Sequence, residues 1–497
     1  MSASDAAIYG SSLFAATTPL PPPRPPLTVD LDVDVCVIGG GLAGLTAARE
    51  VARRGWSVAV LEGRRVAWNA SGRNTGFVLP GFAQTPEKIV ERVGRDHARA
   101  LWALSQAGLD YVRRTIEDNG IAADASAGWL YVSKTDRADA MQGDADLMRA
   151  LGAHVDFLPT EQVRALLKTA YYFQAIGFPD AFNIQPLAYA LALARLAEEA
   201  GARIYEDTPA LSIDPAGVRK RVMTAQARVR AGHIVLAGNV HLGSVMPHVA
   251  RTLVPVRTYV VATTPLGERL AEAMSYRGSV SDTDWADNHY RPVGDRLVFS
   301  GRMTTWDADP WRFAKTLRRD MLRVFPQLGE IEIEHAWTGT LGNAVHRMPQ
   351  IGEAANGVWL AAGFGGHGIN TTAMAGDMIA RAIVEGDDDW RLFLPFELIW
   401  AGGALGRTVA QTAYWVRRTG ERLAARAARR AERRRQDAAE IVSATPEEPL
   451  EAALEAEVEA EDVRSPVPEP PAMQVAQRKR SRRQAKRNPP DGSPAAS

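Results

Sequence analysis

One stretch restricts the fold of this chain more than any other: residues 33–62, VDVCVIGGGLAGLTAAREVARRGWSVAVLE. Val33, Val35, Val37 and Ile38 make a short apolar run, and Gly39, Gly41 and Gly44 follow in a G-x-G-x-x-G pattern. A helix is predicted to open at Leu42 and Ala43 and to stop at Gly55, after which a strand at 56–61 delivers Glu62. Together these pieces read as a dinucleotide-binding βαβ unit. Gly39 permits the tight turn, Gly41 lets the backbone approach a pyrophosphate, and Gly44 lets the helix lie close on the sheet. The first helical N–H groups, at the positive end of the helix dipole, suit a phosphate. Glu62 stands about 20 residues past the glycines, where a carboxylate can accept from ribose hydroxyls. FAD and NAD both satisfy such a unit.

A chain of 497 residues can bury a large core and hold at least two domains. Lys and Arg total 58, as do Asp and Glu, so no overall field points to nucleic acid as a partner of the folded part. The single cysteine, Cys36, removes disulfides and cysteine metal sites, and no metal site is expected. Its place in the first strand, facing the core, makes it an inert thiol. The chain shows neither a secretory signal pattern nor a run of 18 apolar residues, so a cytoplasmic enzyme is expected.

The expected fold class is α/β, α+β overall: a Rossmann-like domain built from discontinuous segments plus a mixed β-sheet substrate domain. Residues 1–31, with TPLPPPRPP at 18–26, read as a flexible Pro-rich arm. Segments 32–85, 155–240 and 335–395 are assigned to the nucleotide domain, and 86–154 and 241–334 to the second. Helices are predicted at 86–119, 137–151, 183–200 and 310–324, and strands at 129–132, 219–229 and 233–239. At 358–384 a strand, a turn rich in glycine (Gly363, Gly365, Gly366, Gly368) and a helix repeat the geometry of the first turn. Residues 396–436 read as a C-terminal helical segment. Blocks of like charge in 437–497, ending in RKRSRRQAKR, read as a disordered tail.

Six blocks in order, VIGGGLAG, LEGRRVAWNASGRNTGF, IQPLAYA, IVLAGNVHLG, WTGTLGNAVHRMPQIG and AAGFGGHGIN, resemble the FAD-dependent amine oxidoreductases of the D-amino-acid oxidase type. Within that family the likeness leans to the bacterial gamma-glutamylputrescine oxidoreductases, and it covers about 32–422. The resemblance implies noncovalent FAD at the first βαβ unit, with Glu62 on the adenosine ribose and Gly63 and Arg64 beside it. It implies a cofactor loop of Ala70, Ser71, Gly72, Arg73, Asn74, Thr75 and Gly76 passing the pyrophosphate and flavin. Ala210 falls where a strand meets adenine, and Gly238 where a second strand turn lines the cofactor. Gly365, Gly366, His367, Gly368, Ile369 and Asn370 match the turn at the flavin pyrimidine edge. Aimed N–H groups there stabilise the negative charge that two-electron reduction leaves. Thr75 departs from the family, which often has glycine. Some relatives attach flavin to a cysteine, which the position of Cys36 disfavours. Others place a lysine near flavin N5 to promote reaction with oxygen; none of Lys88, Lys134, Lys168, Lys220 or Lys315 matches it.

The implied reaction oxidises a primary or secondary amine, a polyamine derivative or amino acid, by hydride transfer to flavin N5. The imine then hydrolyses, and O2 is reduced to H2O2. The partners are thus a small-molecule amine and O2 or another acceptor. His367, Arg347, Tyr259 and Tyr290 are the candidate catalytic residues, with His346 less favoured and Arg73 read as a loop anchor. His367 can orient substrate or flavin, or simply bond backbone in a tight turn. Tyr259, Trp285, Tyr290, Trp306 and Trp337 are candidates for an aromatic cage around a cationic amine. Three alternatives stay open: an amine dehydrogenase feeding a quinone or carrier, a nonenzymatic protein binding through its basic tail, and an NAD-linked dehydrogenase.

Overall fold

The computed structural model describes residues 8–243, 245–283 and 288–444. The chain divides into Met1–Arg433 and Arg434–Ser497, and the architecture below is that of the first unit. Strand Leu31–Ile38 is apolar on both faces because layers cover both, and it sits at the centre of a sheet. Val58–Leu61 and Arg228–Leu236 flank it in parallel register, with Val35 opposite Val58 and His233. The sheet continues to Arg203–Tyr205 on one side and to Val358–Ala362 and the antiparallel Gln350–Ala355 on the other. Helices Leu42–Arg53, Pro186–Glu199 and Gly368–Glu385 are largely apolar and buried.

The second sheet runs Ile333–Ala344, Leu253–Thr263, Arg296–Thr304, His289–Val293, Ser279–Asp282, Ser126–Val132, Ala175–Asn183 and Phe77–Val78, with Asp156–Leu158 on the side. It is antiparallel apart from the pairing of Ser279–Asp282 with Ser126–Val132. Helix Trp311–Val324 backs it through Leu317, Met321 and Val324, which bury against Tyr259, Tyr290 and Phe299.

Long-range pairing redraws the expected division. Ala175–Asn183 and Ile333–Ala344, in segments assigned mostly to the nucleotide domain, belong to the second sheet. Their side-chain alternation marks them as strands but carries no information about which sheet recruits them. The expected helix at 86–119 is two, Pro86–Val93 and Arg95–Asp118, because Gly94 adopts φ +80°. The helix expected from residue 183 starts at Pro186, where Gln185 caps it by accepting from the Ala188 N–H at 2.8 Å. Asn183 ends a strand instead. Helix Gly403–Ala444 runs past the expected onset of the tail at 437, while RKRSRRQAKR and Trp285 lie outside the described residues.

The arm is not loose over its described part. Tyr9, Leu13, Phe14 and Leu27 are buried, and the Arg24 N–H donates to the Glu206 carboxylate at 2.8 Å. The prolines from Pro19 to Pro26 stay mostly at the surface, and it is the apolar side chains on either side of them that find a groove. Cys36 is fully buried, and burial pushes its thiol up to about 12. Among the described residues, no helix is long and apolar enough to cross a membrane.

Candidate active site

The two sheets leave between them a cavity of about 930 Å³. At one end lies the first glycine turn. Gly39 sits at φ +116°, and a Cβ there would meet the Ala237 carbonyl carbon at 2.8 Å. A Cβ on Gly44 would fall 2.0 Å from the Gly39 oxygen, so this helix can sit so close only with glycine. The Glu62 carboxylate accepts from the Gly40 N–H at 2.7 Å and the Arg64 N–H at 2.8 Å. Burial lifts its carboxyl above the ordinary range even against those two donors. Ser71 Oγ accepts from the Leu42 N–H at 3.0 Å, which ties the loop at 70–76 to the helix start.

Positive charge also lines the cavity, where Arg64, Arg73 and Arg257 share the wall. Burial, Arg64 and Arg257 together lower the pKa of Arg73. Among the described residues Arg73 donates to the Ile8 and Thr338 carbonyls, its Nε is buried without a partner, and no carboxylate pairs with it. Burial also lowers His241, with Arg64 and Arg257 adding to the effect. Its ring packs 5.2 Å from Trp68, over which the Arg64 guanidinium lies at 4.4 Å.

At the far end the second glycine turn opens helix Gly368–Glu385, with His367 as the residue before it. His367 is half-buried and deep in the cleft, and burial, Arg347 and His289 push it down to about 4. Trp129 meets it edge-on at 6.2 Å and packs on Phe178 at 4.4 Å. Arg347 holds a left-handed backbone, φ +60°, a strained state for a side-chain-bearing residue that clusters at functional sites. Burial and Arg417 lower its pKa.

The predicted residues separate cleanly. Gly39, Gly41, Leu42, Ala43, Glu62, Gly63, Arg64, Ala210 and Gly238 line the cavity. So do Ala70, Ser71, Arg73, Asn74 and Thr75, and, at the far end, Arg347, Gly365, Gly366, His367, Gly368 and Ile369. Gly44, Gly72, Gly76 and Asn370 sit one layer behind, where Asn370 donates to the Gly81 and Ser105 carbonyls. Tyr259 and Tyr290 do not reach the cavity. Tyr259 stacks on Phe313 at 4.0 Å and bonds Thr304 at 2.7 Å, and Tyr290 stacks on Phe299 at 5.4 Å. Successive strand residues face opposite ways, so Thr258, Val260 and His289 take the lining while both tyrosines face the second core.

Trp337 lies behind the loop, donating to the Arg73 carbonyl at 2.9 Å, and Trp306 is exposed beside Trp415. The aromatic wall is instead Trp129, Tyr131 and Phe178. Trp129 and Tyr131 sit in the predicted strand at 129–132, but its pattern does not reveal which face meets a cleft.

A long slot lined by a phosphate-type glycine turn, by Arg64, Arg73 and Arg257, and by a second helix start defines a protein that holds a dinucleotide between two sheets. Residues 34–382 match the family described as DAO, FAD dependent oxidoreductase. The chain is 31% identical to gamma-glutamylputrescine oxidoreductase of Escherichia coli over 387 residues, 76% of this chain and 90% of that protein. It is 30% identical to the probable oxidoreductase OrdL of Haemophilus influenzae over 373 residues, 73% of this chain and 86% of that one. Glycine oxidase from Geobacillus kaustophilus shares the fold with a TM-score of 0.60 at 21% identity, covering 72% of this chain and 96% of that structure. The chain belongs to the DAO family of FAD-dependent oxidoreductases. Its residues fit that cofactor. Gly39, Gly41 and the helix start at Leu42 and Ala43 line the cavity in the arrangement that suits a diphosphate, and Arg73 is a half-buried cation lacking an anion among the described residues, its Nε buried without a partner.

Proposed function

We propose that this enzyme oxidises a primary or secondary amine that also carries a carboxylate, taking hydride from the carbon next to nitrogen. The observation that carries this reading is one cavity joining the first glycine turn to the His367 turn and ending in an aromatic wall. Gly39, Gly41, Glu62, Arg64 and the loop at 70–76 would hold the FAD diphosphate and ribose. When bound, FAD supplies the acceptor for the hydride at flavin N5. The N–H groups opening helix Gly368–Glu385 would stabilise the negative charge that accepting a hydride brings to the cofactor. Trp129, Tyr131 and Phe178 exclude water and hold the amine. The amine reacts as its free base, its proton released to solvent, and His367, uncharged at neutral pH, orients the nitrogen by hydrogen bonding. Arg347 holds the carboxylate. Water adds to the imine product, which splits into a carbonyl compound and a smaller amine or ammonia.

The acceptor in this reading is O2, which with two electrons and two protons would give H2O2. A quinone or carrier protein is the second reading, favoured by one observation: among the described residues no lysine lines the cavity. The test is anaerobic bleaching of the flavin absorbance across a panel of amines, amino acids and γ-glutamyl amines. Bleaching by an amine bearing a carboxylate, and much less by the same amine without one, is the expected result. A flavin that no amine or amino acid bleaches sinks the reading. Peroxide yield per bleached substrate then separates the two acceptors.

A further inference from the structure

We propose that residues 8–18 of the arm, outside the stretch matching the family, form a clip that holds the loop at 70–76 in place and thereby sets how tightly FAD is retained. The inference rests on the reading that this loop lies beside FAD.

Three of the bonds that orient the loop have arm residues at or behind them. The Ile8 carbonyl accepts from the Arg73 guanidinium, and Gly10, at φ +72°, brings the arm so near that a Cβ there would lie 3.3 Å from Arg73 Nη2. The Trp337 indole donates to the Arg73 carbonyl at 2.9 Å, and Phe14 packs edge-on against that indole at 5.6 Å. Arg291 donates to the Thr75 carbonyl at 2.8 Å, and its guanidinium lies 5.8 Å from the ring of the same Phe14. Phe14 is fully buried, so one side chain braces both donors.

The arm is itself anchored on two other parts of the fold. Ser11 Oγ donates to the Ala336 carbonyl at 2.9 Å, in the second sheet, and the Gln185 side chain donates to the Phe14 carbonyl at 3.1 Å, at the start of helix Pro186–Glu199. Holding Arg73 with carbonyls rather than a carboxylate leaves its positive charge unspent on protein and directed at the cavity. An arm carboxylate at the same place would neutralise it.

Full-chain variants test the clip by titrating FAD into apoprotein and, separately, by melting the apoprotein. Phe14→Ala should raise the FAD Kd about tenfold, and Phe14→Leu, which refills much of the space, should bring it most of the way back. Phe313→Ala, in the second core, should lower the melting temperature and leave the FAD Kd unchanged. Arg73→Met should raise the Kd through the loop itself. If Arg73→Met weakens FAD while Phe14→Ala leaves the Kd within about twofold of the parent, the clip is wrong although the loop reading stands. If neither variant changes the Kd, the loop does not lie beside FAD and the proposal fails with that reading. Should Phe14→Ala not fold, Tyr9→Phe, which removes the bond from the Tyr9 hydroxyl to the Val66 carbonyl at 2.9 Å, must still raise the Kd, and an unchanged value overturns the clip.

Discussion

The two glycine-rich turns look alike as strings of letters and differ in what surrounds them. In the first, Gly39 and Gly44 press on protein backbone, and a methyl group on Gly44 would land 2.0 Å from the Gly39 oxygen. In the second, a Cβ on Gly365 would meet the Ala83 Cβ at 2.9 Å, but Gly366 and Gly368 have no protein atom within 4 Å of where a Cβ would sit, and both line the cavity. The first turn needs glycine so that helix and sheet can pack; the second leaves room for something other than protein. Crowding by the chain itself belongs to stability, and emptiness facing a cleft belongs to ligand binding.

That contrast can be broken most easily at Gly44. Gly44→Val should cost on the order of 4 kcal/mol or more, because backbone rather than a flexible side chain must move, and the protein should lose its flavin absorbance. A yellow variant with the parental melting temperature would mean that the first turn is not crowded. Gly368→Ala should behave in the opposite way: an apoprotein that melts no earlier than the parent, with FAD held about tenfold more weakly. An earlier melt would place protein, not ligand, against this turn.

His367 sharpens the second half of the comparison through pH. Its folded pKa of about 4 lies below the unfolded value of roughly 6.5, so the unfolded chain takes up the proton first as pH falls. The stability that goes with a neutral His367 is therefore fully present above the unfolded value and is lost between about pH 6.5 and 4. Melting curves should fall more steeply across that window for the parent than for His367→Asn, and the rate profile should show no inflection from this group near neutrality. The smallest effect is expected outside both turns. Tyr259→Phe removes the bond to Thr304 and should cost about 1 kcal/mol of stability while kcat/KM stays unchanged. A large fall in kcat/KM would return Tyr259 to the site.

Both turns, the helix stop at Gly55 and the carboxylate of Glu62 were legible in the chain because each depends on residues a few positions apart. A glycine that relieves a turn, a proline that opens a helix and a run that alternates act locally, whatever the rest of the molecule does. Tyr259 and Tyr290 show where this ends. Alternation separates two faces of a strand, but only the partner strands and the helix Trp311–Val324 decide which face meets a core and which meets the cleft. The arm shows it again, since polar and proline-rich letters give no hint of the groove that receives Phe14.

From its letters alone this chain determined a nucleotide-binding βαβ unit and a second helix start able to meet negative charge, while FAD rather than NAD was implied only by the resemblance of six blocks in order. Only the tertiary structure decided which sheet takes Ala175–Asn183 and Ile333–Ala344, which aromatics wall the cavity and how the arm grips the loop. The first group follows from dihedral and hydrogen-bonding preferences of neighbours in sequence. The second follows from pairings between residues far apart in the chain, where many registers satisfy the local rules and packing selects one.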